Sequence, residues 1–217
     1  MAVNIYQNRI KYLVTTAVLV SVALVLCPYL HEDLTFASIK KIGSYSVTIT
    51  TILAFIFNVW IWKYIPESLS GRPDVNGTWK GTIEYRWANP DEKNDVRNIV
   101  DPVYICVKQT FLSTKICAFT AESDSHSLGS NIMQTDTGAW ELSYTYDNTP
   151  DRRLRNRSQR HRGAAELKIN RLNDEYTIQG DYWTDRWSQG HMSFSERHCG
   201  FATSYASAQQ MFGVINE

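Results

Sequence analysis

The chain of 217 residues sets 22 Lys and Arg against 22 Asp and Glu, a formal net charge of zero, and 43% of it is hydrophobic. That balance excludes a polybasic nucleic-acid binder and an acidic disordered segment, so no nucleic-acid polymer is expected as a partner. Cys27, Cys106, Cys117 and Cys199 show neither metal-ligand spacing nor a disulfide framework, which suits a reducing compartment and predicts no metal site.

Two apolar runs open the chain. Nineteen uncharged residues separate Lys11 from His31, and twenty-one separate Lys41 from Lys63. At about 1.5 Å per residue, either run can cross a hydrocarbon core of about 30 Å as a helix. Tyr12, Tyr29, Trp60, Trp62 and Tyr64 sit at the run ends, where aromatic rings favour the interface. The expectation is a transmembrane hairpin over 1–65, with spans at about 12–30 and 42–62 and the lipid bilayer as a partner. A cleaved signal peptide competes for the first run, but the run is long for one and lacks a small-x-small cleavage site. Leu26 before Cys27 is too bulky for a bacterial lipidation site. Arg9, Lys11, Lys63 and Arg72 flank the hairpin, against Lys40 and Lys41 in its loop, which favours cytoplasmic termini. Ser44, Thr48, Thr51 and Asn58 form one polar stripe of the second span, and Ala17 and Ser21 a small-residue pair on the first. The stripe packs either the hairpin's own two helices or separate copies of the chain.

After a linker over 66–75, helical periodicity gives way to alternation. Eight strands are predicted, at about 78–87, 103–110, 113–121, 125–133, 140–147, 163–170, 176–184 and 189–196. Near-neighbour connections make an antiparallel up-and-down meander, and eight strands close a small, lipocalin-like barrel over 76–198. Residues 199–217 read as a C-terminal tail. The fold class is mainly β, with the helical hairpin in front. Alternation points Trp79, Ile83, Tyr85 and Trp87 inward, then Leu142, Tyr144 and Tyr146, then Leu167, Ile178, Tyr182 and Thr184. Gly81, Gly163, Gly180 and Gly190 fall on the same face and are expected to leave space inside.

Residues 152–162 hold six arginines, whereas the rest of 66–198 carries eleven Lys and Arg against nineteen Asp and Glu. In the meander this loop lies at the mouth, the end away from the linker, with the loops at 87–100, 122–125 and 184–188. The candidate site is that mouth. Tyr85, Trp87, Tyr144, Tyr146, Tyr182 and Trp187 offer stacking faces, Thr184 a hydroxyl, and Arg152, Arg153, Arg155 and Arg186 forks for phosphate. A solvated loop and a contact with lipid headgroups are the other readings of the run.

Two spanning helices, a short linker, "VNGTWKGTIEY" at 75–85 and an eight-strand barrel together resemble one bacterial family. It is the two-transmembrane, β-strand-rich effector of cyclic-oligonucleotide-based anti-phage signalling systems (CBASS). The resemblance implies a cytosolic barrel that senses a cyclic dinucleotide made by a partner nucleotide cyclase during infection. It further implies that binding assembles protomers and that the helices then disrupt the inner membrane. Both termini and the barrel would be cytoplasmic in a multi-pass inner-membrane protein, and the ligand would be the only small molecule, with no cofactor. The site residues above come from the mouth geometry and not from the resemblance.

Two other classes compete with this. A membrane-anchored, lipocalin-like carrier of an apolar small molecule requires a dry cavity, and a structural adaptor requires no pocket. An enzyme is not expected, because no Gly-rich phosphate loop, nucleophile elbow or His-Glu metal pair is present.

Overall fold

The computed structural model describes residues 15, 17–23, 25, 35–88, 96–156, 158–173 and 175–213. The chain divides into two compact units, Met1–Arg72 and Pro73–Glu217. In the first, residues 17–23 are helical, and helix α1 runs over Phe36–Val59. A 3-10 turn, Ile61–Tyr64, and one helical turn, Glu67–Ser70, follow it.

Among the described residues no helix is both long and apolar enough to cross a membrane. The expected hairpin is therefore not found there. Much of the first span lies outside the described residues, and the apolar side chains of α1 are diluted by Ser44, Tyr45, Ser46, Thr48, Thr50 and Thr51. Both threonine hydroxyls of the expected seam turn back onto their own helix. Thr48 Oγ1 donates to Ser44 O at 3.0 Å and Thr51 Oγ1 to Val47 O at 2.9 Å. Ser21 does the same to Ala17 O at 2.7 Å. A hydroxyl proton bonded this way is not available to a facing helix.

The second unit is a closed barrel of eight strands in sequential order. They are β1 Gly77–Ala88, β2 Val96–Gln109, β3 Thr114–Phe119, β4 Ser123–Gln134, β5 Trp140–Pro150, β6 His161–Leu172, β7 Glu175–Thr184 and β8 Gln189–His198. Every neighbouring pair is antiparallel and β8 pairs back onto β1, so the sheet closes as the alternation predicts. The β2 ladder begins at Val96, opposite Ala88, and runs through Pro102 opposite Thr82. The sequence reading starts that strand only at 103, past the proline. The β3–β4 ladder is short, with three pairs from Phe119↔Asp124 to Cys117↔His126. Beyond it, Ser127 Oγ accepts the Ile116 N–H at 2.9 Å and Ser130 Oγ donates to Thr114 O.

The inward face is a packed core, not a chamber. Trp79, Val103, Ile105, Val107, Leu142, Leu167, Ile178 and Phe194 are fully buried in one cluster. Residues ahead of β1 close the floor. Trp79 Nε1 donates to Val75 O at 3.0 Å, and Gln109 Nε2 donates to Pro73 O at 2.9 Å while its Oε1 accepts the Val75 N–H at 3.1 Å.

The four inward glycines do not leave space, contrary to the sequence expectation. A Cβ on Gly163 would lie 2.4 Å from Tyr146 Cζ and 2.6 Å from Trp183 O. One on Gly190 would lie 2.7 Å from Tyr182 Cε1, and one on Gly81 2.6 Å from Phe194 Cδ1. One on Gly180 would meet Glu166 O at 2.1 Å. In three cases an aromatic ring from a neighbouring strand occupies the place of the missing side chain. Absence of a Cβ permits close approach, and the close approach fills the volume.

A second, smaller core lies outside the barrel. Tyr104, Cys106 and Phe119 point outward from β2 and β3 and are buried with Ala202 and Ala208. The cover is helix α2, Tyr205–Met211, within the segment read from sequence as a tail. Ser204 and Ser207 form a reciprocal capping box at its start, which satisfies two of its free donors. Tyr205 meets Tyr104 edge-on with centroids 5.4 Å apart.

Candidate functional site at the barrel mouth

The connections after β1, β3, β5 and β7 share one end of the barrel, and the aromatic side chains of the candidate site cluster inside it. Tyr146 and Tyr182 are each 8% exposed, seated over Gly163 and Gly190. Tyr144 lies one step deeper, its ring 5.8 Å from that of Tyr146. Tyr85 is half-buried beside them and donates its hydroxyl to Asp101 Oδ2 at 2.8 Å. Burial pushes the Tyr146 and Tyr182 phenols up, Tyr182 to about 12. Tyr85 is raised by burial and by its bond to the Asp101 carboxylate. All three therefore act as neutral donors and stacking faces.

Thr184 is buried, but its hydroxyl serves the β7–β8 turn, 2.6 Å from Ser188 Oγ. Trp187 stands apart from the cluster, 97% exposed, with a left-handed φ of 63°. A bulky residue rarely takes that conformation without cause. Trp87 closes β1 opposite Arg97, and its side chain lies outside the described residues.

Local hydrogen bonds hold the described part of the arginine run. Asp151 caps a 3-10 turn, Arg152–Leu154, by accepting the Arg153 N–H at 2.9 Å. Its own N–H donates to Glu122 O at 2.8 Å, which ties the loop to the neighbouring β3–β4 hairpin. The arginines then divide by partner. Arg160 grips Asp147 with both Nε and Nη2, and this pairing holds the Asp147 carboxyl below the usual range. Arg153 pairs loosely with Asp151 at 3.5 Å, Arg155 Nε donates to Pro150 O at 3.5 Å, and Arg186 donates to Ser158 Oγ. Arg152 is exposed with no partner among the described residues. Arg157 lies outside them. The 152–155 turn thus keeps more of its charge uncommitted than Arg160 does.

The mouth also holds inward residues that the sequence reading missed. Register places Asp101 inward opposite Ile83, and Ser125 inward opposite Asn148. Ser125 is 7% and Asn148 9% exposed, and neither side chain has a hydrogen-bond partner among the described residues. His161, paired with Asn148 across β5–β6, is held neutral by burial, which lowers its pKa. A signal for part of this exists in the sequence. "SDSHS" at 123–127 repeats a small hydroxyl at the strand period of two. Asp101 lay ahead of the predicted start of that strand at 103.

A recess of about 600 Å³ opens near the mouth, lined by the candidate-site residues Tyr85 and Tyr182, by Gly190, and by the outward-facing Glu84, Asp181 and His191. Its carboxylates disfavour a phosphate at that spot. The apolar carrier needs an open interior, and the ring-filled glycine seats remove it.

A family model described as "Cap15, cyclic dinucleotide receptor domain" matches residues 70–196. The chain belongs to that family. Two relatives, each called CD-NTase-associated protein 15, match most of its length. That of Escherichia albertii is 28% identical over 191 residues, covering 86% of this chain and 91% of the relative. That of Staphylococcus schleiferi is 26% identical over 150 residues, covering 69% and 75%. The Cap15 match spans the whole barrel from the floor segment to β8, so it includes the tyrosine cluster, the arginine turn and the polar wall. Among the described residues no group of His, Cys, Asp and Glu is arranged to hold a metal ion.

Proposed function

We propose that this protein is an effector of a CBASS anti-phage system whose barrel binds a cyclic dinucleotide at its mouth. The messenger comes from a partner nucleotide cyclase, and the chain performs no catalysis of its own. In this reading residues 1–65 attach the protein to the bacterial inner membrane, with the barrel and both termini in the cytoplasm. Binding promotes self-association, and the assembled N-terminal helices disrupt the bilayer, arresting or killing the infected cell.

The observation that carries the binding step is the pairing of two chemistries at one end of the barrel. Tyr85, Tyr146 and Tyr182 place aromatic rings at that end, the last two seated against Gly163 and Gly190, and the 152–155 turn places guanidinium groups at the same end. Bases stack on the first and phosphates bond to the second. The family match supports the ligand class. Membrane attachment rests on the two uncharged runs of the sequence.

The test is calorimetric titration of the full chain in detergent with a panel of 3′,3′-linked cyclic dinucleotides at low and high salt. Micromolar or tighter binding that weakens with salt is expected, since exposed charges are screened. A folded protein that binds no member of the panel refutes the proposal.

A further inference from the structure

The mouth presents two unlike polar walls. On one, Asp101 uses Oδ2 to accept the Tyr85 hydroxyl at 2.8 Å, and its Oδ1 has no hydrogen bond among the described residues. On the other, Ser125 and Asn148 face each other in register, both about nine-tenths buried and both without a partner among the described residues. A carboxylate only accepts hydrogen bonds, whereas an amide both donates and accepts.

Resting on the reading above, we infer that Asp101 selects the base of the bound nucleotide, requiring one whose Watson–Crick edge carries a ring N–H. A carboxylate in a dianion site repels phosphate, so the base edge is the part of the ligand from which its free Oδ1 can accept a hydrogen bond. Guanine offers N1–H and N2–H side by side, matching the two carboxylate oxygens. Uracil offers N3–H alone. Adenine and cytosine turn a ring-nitrogen lone pair toward the carboxylate and give up at most one exocyclic N–H. The order expected at this wall is guanine, then uracil, then adenine and cytosine. Asn148, with a donor and an acceptor on one amide, matches the edge of any base by rotating, so the opposite wall tolerates either class. The site is therefore discriminating on one side and permissive on the other.

The full chain in detergent is titrated with 3′,3′-linked cyclic di-GMP, di-UMP and di-AMP, together with the variants Asp101→Asn and Tyr85→Phe. Asparagine keeps an oxygen to accept the Tyr85 hydroxyl, so Asp101→Asn alters the edge while preserving the local bond, and circular dichroism confirms the fold. The wild type is expected to bind di-GMP at least about tenfold tighter than di-AMP. Asp101→Asn should bring that ratio to within about threefold, chiefly by weakening di-GMP, because its amide donor now suits adenine. Tyr85→Phe, which removes the bond that holds Asp101 Oδ2 but keeps the carboxylate, should narrow the ratio less than Asp101→Asn does. Binding of di-AMP as tight as di-GMP by the wild type, or equal weakening of all ligands by Asp101→Asn, overturns the inference while the cyclic dinucleotide reading stands. Binding of none of the three by folded protein overturns both.

Discussion

The inward glycines give a prediction whose sign separates two pictures of the barrel. If Gly163 faced open interior, Gly163→Ala would stabilise the fold by about 0.4–1 kcal/mol, by reducing the freedom of the unfolded chain. The structure places the new methyl 2.4 Å from Tyr146 Cζ and OH and 2.6 Å from Trp183 O. The ring could tilt, but the carbonyl belongs to the neighbouring strand and cannot move without straining its ladder. Overpacking of this kind costs about 1–3 kcal/mol. At about 2–4 °C per kcal/mol for a domain of this size, the midpoint should fall by about 2–12 °C. Gly129→Ala is the control, since its methyl would meet only Thr145 Oγ1, at 3.9 Å. It should leave the midpoint unchanged or slightly higher. Thermal and urea unfolding followed by circular dichroism measure both. In a Tyr146→Leu background the Gly163→Ala penalty should shrink by about 1 kcal/mol, as contacting sites couple. An unchanged or raised midpoint for Gly163→Ala would refute the ring-seat account and return an open interior.

Three further outcomes follow from the same geometry. Replacing Arg152 and Arg153 together by alanine should weaken cyclic dinucleotide binding well over tenfold, since each charge-assisted bond contributes about 1.5–3 kcal/mol. Arg160→Ala, whose guanidinium already holds Asp147, should cost less, and equal losses in calorimetry would undo the division. Raising the pH should destabilise the barrel. The folded Tyr182 phenol titrates at about 12 against an ordinary 10.0, so its contribution is complete below about 10 and is lost as pH rises through about 12. The share of tyrosinate absorbance that belongs to the buried phenols should then rise together with loss of the sheet signal, not before it. Deleting residues 205–217 strips the cover from Tyr104, Cys106 and Phe119. The midpoint should fall by several degrees, and Cys106, 1% exposed in the intact chain, should become reactive toward a thiol reagent.

The sequence alone determined the barrel. Period-two alternation separated by turn residues dictates strands, and eight strands joined in sequence order close on themselves, because closure leaves no edge unpaired. It also determined that Tyr85, Tyr144, Tyr146 and Tyr182 share the inward face with the glycines, since alternation depends on position and on nothing remote. What alternation cannot report is the depth or partner of a side chain. Only the closed sheet brought Tyr146 over Gly163 and Tyr182 over Gly190, turning expected space into packed ring. Only the register of β2 on β1 carried Asp101 past Pro102 and inward beside Tyr85, and only that of β4 on β5 set Ser125 against Asn148. The arginine run is legible as a charge excess, but which guanidiniums are committed depends on carboxylates such as Asp147, thirteen residues from Arg160 along the chain and in contact with it in the fold. Local spacing fixes faces, whereas contacts across strands are decided by closure, which makes a site of residues that no short window of sequence contains.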